Sequence, residues 1–207
     1  MAKLLYIQCS PRGQRSKSIQ VADAFVEAYK ARNPKDTVEV LNLFEFPLPA
    51  FDGPVVQGKY NIMHGKPHTA QEKKAWDEVV GIIDHFKSAD KYVFAIPMWN
   101  FGIPYRLKQY IDIIVQPTYT FAVSEAGYEG LVKGKPALVV LARGGAYSGP
   151  AEGYDQQKRY LDQILNFIGC TRIEHMLVEP TLNSTPEAVE AMVEERKQEV
   201  RRLVDAF

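Results

Sequence analysis

The chain alternates short apolar runs with longer segments in which apolar residues recur at helical spacing. Helices separate the runs, which lie at residues 3–7, 38–43, 92–96, 137–142 and 173–178. Strands that alternate with helices build a parallel sheet, because right-handed crossovers place helices on both of its faces. The sequence therefore predicts an α/β fold: a doubly wound five-stranded parallel sheet with helices on both faces, in a single domain spanning residues 1–207.

Local signals place two of the five predicted helices. Thr69 and Glu72 have the spacing of a capping box, and Thr185 followed by Pro186 is typical of a helix start. The last helix is predicted to bury Val189, Met192, Val193, Val200, Leu203, Val204 and Phe207. Two connections, 44–68 and 116–134, are read as long loops, and long loops in compact domains are often functional.

Charge and cysteine content narrow the classes of partner. Twenty-five basic residues balance twenty-five acidic ones, which disfavours a nucleic-acid binder or a polybasic membrane sensor. The longest apolar run has six residues, far fewer than the ~18 expected of a membrane span. The chain has only two cysteines, Cys9 and Cys170, which we expect to be inert buried thiols. So few cysteines favour a reducing, cytoplasmic setting. The balanced charge favours small molecules as partners.

The segment after the first predicted strand has the composition of a phosphate-binding loop. Ser10, Ser16 and Ser18 offer hydroxyls and Arg12 and Lys17 offer positive charge beside a helix start. The loop matches neither the G-x-G-x-x-G nor the GxxxxGK[ST] pattern, which disfavours a classical dinucleotide fold or a nucleoside triphosphatase. A plain helix cap flanked by solubilising arginines remains the alternative.

The segment after the third strand is rigid and aromatic. Two prolines enclose Trp99, Asn100 and Phe101, a composition that suits a planar heterocycle with the amide at its edge. A buried hydrophobic turn is the alternative. The cofactor-contacting positions expected here are Pro97, Met98, Trp99, Asn100 and Phe101.

A glycine pair follows the fourth strand. Gly144 and Gly145, preceded by Arg143, would let backbone N–H groups face a ligand without obstruction. Glycine pairs after strands are common turns, so this signal alone is weak. Three such segments at the carboxyl edge of one sheet, where ligands of doubly wound folds bind, together predict a binding site.

In these three segments the sequence resembles the FMN-dependent NADH-azoreductases, relatives of the NAD(P)H:quinone oxidoreductases. The resemblance covers nearly the whole chain and implies a flavodoxin-like fold with FMN contacted at 10–12, 16–18, 97–101 and 143–145. One departure is Trp99, where many members carry tyrosine.

The same resemblance implies an activity. NADH or NADPH would reduce FMN by hydride transfer, and quinones or azo compounds would reoxidise it at the same face, giving ping-pong kinetics. It also implies a homodimer with FMN near the subunit interface, and apolar residues in the 44–63 connection favour such an interface. Because FMN carries the chemistry, no catalytic side chain is predicted.

Further candidates carry less weight. Tyr119, Phe121 and Tyr128 are predicted to roof a substrate pocket, with aromatic hairpin packing as the alternative. His64 and His68 are separated by helix breakers, so no metal site is predicted.

Two other functions share the predicted fold. An electron-carrying flavodoxin would have no small-molecule substrate, and the neutral charge with two long aromatic-bearing connections favours an enzyme over it. A nucleotide-binding regulator would use the same serine-rich loop without a flavin.

Overall fold

A parallel sheet forms the centre of the computed structural model, which describes residues 1–182 and 184–207. Its five strands are β1 (Lys3–Gln8), β2 (Thr37–Asn42), β3 (Lys91–Pro97), β6 (Ala137–Ala142) and β7 (Ile173–Val178); a separate hairpin comprises β4 (Phe121–Ser124) and β5 (Gly127–Gly130). The helices are α1 (Lys17–Arg32), α2 (Gly53–Met63), α3 (Ala70–Lys87), α4 (Tyr105–Ile114), α5 (Gln156–Ile168) and α6 (Pro186–Arg202).

The strand order is β2-β1-β3-β6-β7, and every neighbouring pair in this sheet is parallel. The predicted five-stranded doubly wound sheet is thus confirmed. Because β1, β3 and β6 are adjacent, the segments that follow their carboxyl ends emerge side by side. This order brings the three predicted site segments together.

Alternating side chains divide the core between the two faces of the sheet. Along β1, Leu5 and Ile7 pack with residues of α3, α4 and α5, whereas Leu4 and Tyr6 pack with α1 and α6. In β6 all six residues are buried, as expected of a strand covered on both faces.

The predicted helix starts are confirmed. Thr69 accepts from the Glu72 amide at 3.1 Å while the Glu72 carboxylate accepts from the Thr69 amide at 2.6 Å. Thr185 accepts from the Ala188 amide at 3.2 Å. Seven residues were predicted to be buried along the last helix. Of these, Val189, Val193, Val200 and Val204 are buried, and Met192, Leu203 and Phe207 are partly buried.

The interpretation of residues 44–68 as one long loop is wrong, because it contains α2. This helix is short and buries only Val55 and Gly58, so its apolar period is weak. Gly58 fits tightly against α3, where an added Cβ would lie 2.7 Å from the Glu72 carbonyl oxygen. The connection also buries part of the apolar surface from which an interface was predicted, since Phe46, Leu48, Phe51 and Ile62 pack against the core.

The second long connection contains the β4–β5 hairpin, which docks onto the end of α5. Gly130 allows the close approach, because a Cβ there would lie 2.3 Å from the Gly169 nitrogen. The Val132 amide donates to the Ile168 carbonyl at 2.8 Å and continues this contact. No helix in residues 1–182 or 184–207 is long and apolar enough to cross a bilayer.

Candidate functional site

The segment between β1 and α1 buries a pair of hydroxyl groups at a helix start. Ser16 is the N-cap residue of α1, and its Oγ lies 3.0 Å from the Oγ of Ser18. Both side chains are almost fully buried, as is Ser10. In the described structure the Ser16 hydroxyl makes no capping bond, so it does not occupy the first helical amides. Buried hydroxyls beside these amides form a cradle for an anion.

Two cations border this cradle. Arg12 follows Ser10, whose hydroxyl accepts from the Arg12 amide at 3.3 Å, and Lys17 opens α1. A short 3₁₀ turn at Gly13–Arg15 joins them, and Gly13 has the positive φ of 52° that favours glycine. The predicted phosphate segment therefore has the donors that a phosphate group requires.

The segment after β3 forms a tight turn with left-handed backbone. Trp99 and Gly102 exchange two backbone hydrogen bonds of 3.1 and 2.9 Å, and Asn100 and Phe101 between them have φ values of 47° and 67°. Left-handed backbone is uncommon for a phenylalanine and is found preferentially at functional sites. The turn is held from outside, because the Gln156 amide donates to the Phe101 carbonyl at 3.1 Å.

Aromatic rings flank the turn on both sides. Trp99 lies 5.9 Å from Phe44 and 6.2 Å from Tyr105 between ring centroids. On the other side Phe101 lies 5.5 Å from Tyr154. Trp99 and Phe101 remain partly exposed, so they offer apolar surface to a ligand as well as packing against the protein.

In the predicted segment after β6, the glycine backbone and the Arg143 side chain lie in different places. Gly144 borders the site, but the Arg143 side chain is buried in ion pairs, with Nη2 2.8 Å from Asp155 Oδ2 and Nη1 3.2 Å from Glu179 Oε2. Neither Gly144 nor Gly145 has a positive φ. The Arg143 guanidinium therefore lies inside the protein, and this position can offer a ligand only its backbone.

The three segments converge on one cavity of about 160 Å³ at the carboxyl edge of the sheet. Sequence reasoning missed three of its residues: Ala142, the last residue of β6, and Thr181 and Leu182, which follow β7. The last two follow a strand end like the other three segments, so the same edge rule applied to β7 would have found them. The lining residues are Ser10, Arg12, Ser16, Lys17, Pro97, Met98, Trp99, Ala142, Gly144, Thr181 and Leu182.

A second cavity of about 790 Å³ adjoins the turn, and Trp99 lines both cavities. The lining of this cavity combines apolar residues with three polar side chains of α4. Its lining residues are Phe51, Trp99, Asn100, Gly102, Ile103, Tyr105, Lys108, Gln109 and Asp112.

The predicted roof residues lie elsewhere in this chain. Phe121 and Tyr128 pack on Phe167 of α5, with ring centroids 4.7 and 5.5 Å away, and Tyr119 packs on Trp76 at 6.0 Å. None of the three is among the described residues that line the two cavities. The alternative of aromatic hairpin packing describes their contacts within one chain.

The two cysteines and the two histidines considered in the sequence line neither cavity. Cys9 and Cys170 are free and buried; burial raises the pKa of the Cys9 thiol, and it raises the pKa of Cys170 to about 12. His64 and His68 each contact a backbone carbonyl, and the described residues contain no cluster of three metal-ligating side chains.

Comparison with known proteins gives a consistent family. A family model described as flavodoxin-like fold matches residues 2–204. An FMN-dependent NADH:quinone oxidoreductase of Nitratidesulfovibrio vulgaris (strain DP4) is 52% identical over 209 residues, covering 100% of both chains. Another, from Desulfotalea psychrophila, is 47% identical over 187 residues, covering 89% of this chain and 88% of that protein.

Solved structures agree. An azoreductase from Bacillus anthracis str. Sterne superposes with a TM-score of 0.92 at 30% identity over 100% of both chains. An FMN-dependent NADH-azoreductase from Bacillus anthracis str. Ames Ancestor, in complex with FMN, superposes with a TM-score of 0.89 at 31% identity over 99% of this chain and 100% of that one. The predicted resemblance is confirmed: the chain belongs to the FMN-dependent NADH:quinone oxidoreductase family of the flavodoxin-like fold.

Proposed function

We propose that this protein is an FMN-dependent oxidoreductase that accepts hydride from NADH and reduces quinones and azo compounds. The observation that carries the proposal is the meeting of three segments at one sheet edge, where buried hydroxyls, a helix start and an aromatic turn share a cavity. The names of the full-length relatives support the same chemistry.

The phosphate of FMN fits the start of α1. Ser16 and Ser18 would donate their hydroxyls, the first helical amides would complete the contact, and Arg12 and Lys17 would balance the charge.

The ring system fits the opposite wall of the same site. Met98 and Trp99 line the small cavity with apolar surface. Asn100, in the same turn, lines the adjoining larger cavity, and its amide would hydrogen-bond a ring edge that extends there. The backbone amides at Gly144 and Gly145 would face the part of the ring where negative charge collects on reduction. FMN would supply the hydride chemistry, while these residues bind and orient it.

The larger cavity is suited to the substrates. Trp99 is common to both cavities, so a planar molecule seated against it would border the flavin site. We expect NADH to leave before a quinone or azo compound enters, because both would need this wall. The mechanism is then ping-pong.

A homodimer and a cytoplasmic location complete the proposal. Tyr105, Val123 and Tyr128 expose more than 60% of their surface, which favours a partner surface near the substrate cavity and the hairpin. Two free thiols suit a reducing compartment.

The proposal is tested with protein reconstituted with FMN. We expect flavin absorption bands that NADH bleaches without air, and steady NADH oxidation when a small quinone is added without a protein partner. A bound flavin that NADH reduces only with a protein partner would instead indicate an electron carrier. A protein that cannot be reconstituted with FMN would contradict the proposal.

A further inference from the structure

Arg143 makes three contacts through a side chain that is buried in the protein. Its Nε donates to Gln157 Oε1 at 3.0 Å, its Nη1 donates to Glu179 Oε2 at 3.2 Å, and its Nη2 lies 2.8 Å from Asp155 Oδ2. Nε and Nη1 are thus hydrogen-bonded, while Nη2 is held beside Asp155 by an ion pair without hydrogen-bond geometry. The single nitrogen of lysine could not reproduce this planar fork of contacts.

The partners of Arg143 lie at the ends of different elements. Asp155 caps α5, and its Oδ1 accepts from the Lys158 amide at 2.9 Å. Gln157 lies in the first turn of α5, and Glu179 directly follows β7. One side chain thus joins β6, β7 and the start of α5.

Gln157 carries the connection on to β3. It is fully buried, and its Nε2 donates to the Ile96 carbonyl at 3.3 Å, next to the start of the aromatic segment. The neighbouring Gln156 amide donates to the Phe101 carbonyl, at the other end of that segment. The first residues of α5 therefore hold both the end of β3 that leads into the turn and the turn itself.

The backbone of Arg143 holds the last site segment. Its carbonyl accepts from both the amide and the hydroxyl of Thr181 at 2.9 Å, and the Leu182 amide donates to the Gly144 carbonyl at 3.0 Å. The described residues that line the small cavity include Ala142 and Gly144, on either side of Arg143, but not Arg143 itself. Its side chain points into the protein, away from a ligand.

Stability alone is a weak reason for this arrangement. Removing an arginine and two carboxylates from water carries a desolvation cost that often cancels their attraction, so the net contribution of such a cluster to stability is small. The three segments joined here are those that form the ring wall of the cavity. The α1 segment, which holds the buried serine pair, has no contact with the cluster among the described hydrogen bonds.

We propose that Arg143 is a positioning residue for the flavin ring: through Asp155, Gln157 and Glu179 it fixes the turn at Trp99, the Gly144 backbone and the Thr181 segment relative to one another. This inference rests on the proposed function, since it takes FMN as the ligand. It assigns Arg143 to the ring end of the site and leaves phosphate binding to the α1 segment.

The test compares Arg143→Lys with wild type in titrations of the apoprotein with riboflavin and with FMN. Lysine keeps the charge but loses the fork, so we expect both dissociation constants to rise by the same factor, about tenfold. The visible bands of the bound flavin should shift as well, because the ring is held differently. Arg196→Lys, at an ion pair on α6, is the matched control and should change neither quantity.

Other outcomes separate the alternatives. A loss confined to FMN would mean that Arg143 acts at the phosphate, and a lowered melting temperature with unchanged flavin affinity and spectrum would mean a merely structural role; either overturns the inference. A wild-type protein that binds neither flavin would contradict the proposed function instead. If Arg143→Lys does not fold, Glu179→Gln takes its place, since its side chain is partly exposed and only one contact changes, and the same equal rise in both constants is expected.

Discussion

The hydroxyl oxygens of Ser16 and Ser18 lie 3.0 Å apart in a buried position at the start of α1. We predict that replacing both by alanine weakens FMN binding, because each hydroxyl bond to a charged phosphate is worth about 1.5–3 kcal/mol. Riboflavin affinity should barely change, since riboflavin has no phosphate. Titration of both flavins into the apoprotein measures the difference.

A matched control is Thr69→Ala, which removes the helix cap on α3 and lines neither cavity. It should lower stability by about 1 kcal/mol without altering flavin affinity. Equal losses of FMN and riboflavin in the double serine variant would place the phosphate elsewhere.

Steady-state kinetics should show a ping-pong pattern. Trp99 lines both cavities, so NADH and the acceptor are expected to use the same wall in turn. Double-reciprocal plots at several quinone concentrations should give parallel lines. Intersecting lines would indicate that both substrates bind at once.

Replacing Gly130 or Gly81 by alanine should change the stability of the protein in opposite directions. A Cβ on Gly130 would meet the Gly169 backbone, so Gly130→Ala should destabilise the protein by about 1–3 kcal/mol as the hairpin shifts. Gly81 lies within α3 with open space around it, so Gly81→Ala should stabilise by about 0.5–1 kcal/mol. Urea unfolding measures both; a neutral Gly130→Ala would mean that the hairpin moves freely.

The thiols should be unreactive in the folded protein. Cys9 and Cys170 are buried, and burial raises the pKa of both. A disulfide reagent at pH 8 should label neither until guanidinium is added, when two thiols react.

The same pKa shifts have a consequence for stability. The thiols ionise in the unfolded chain at a lower pH than in the folded one, so their contribution is complete below about pH 8.5 and is lost as pH rises above it. Urea midpoints of Cys170→Ala and wild type measured between pH 7.5 and 10 should therefore show a shallower decline for the variant. Equal slopes would contradict the assignment.

Light scattering should give about twice the chain mass of 23.4 kDa at low micromolar concentration. The reason is the exposed apolar surface around Tyr105 and the hairpin. A mass near that of a single chain would contradict the homodimer and the idea of a site at the interface.

Apolar period and capping signals allowed the sheet to be predicted from the sequence. Residues 137–142 and 173–178 are strands with the bounds predicted, because short, mostly apolar runs between helical segments leave few other arrangements. The helix α2 was missed, since it buries one face so sparsely that no period is visible. The hairpin was predicted only as an alternative for the aromatic residues, because its two strands are only four residues long.

The sequence predicted three of the segments that form the candidate site, because each of them follows a strand. It did not predict the direction in which an individual side chain points. The edge rule placed Ser16 and Trp99 at one cavity, but no local pattern tells whether Arg143 points outward or inward. That orientation depends on Asp155 and Glu179, which are 12 and 36 residues away in the chain and come together only in the folded protein. The assignment of individual flavin contacts stays a prediction.

Because Trp99 lines both the small and the larger cavity, the residues of the two cavities cannot change independently at this position. Under the proposed function, any change at Trp99 alters cofactor retention and substrate range together, because the same ring forms a wall of each cavity. Phe51 and Gln109 line only the larger cavity among the described residues. Relatives of this enzyme can therefore acquire new acceptors by drift at those two positions while the flavin stays bound, and libraries for reducing bulkier dyes should begin there.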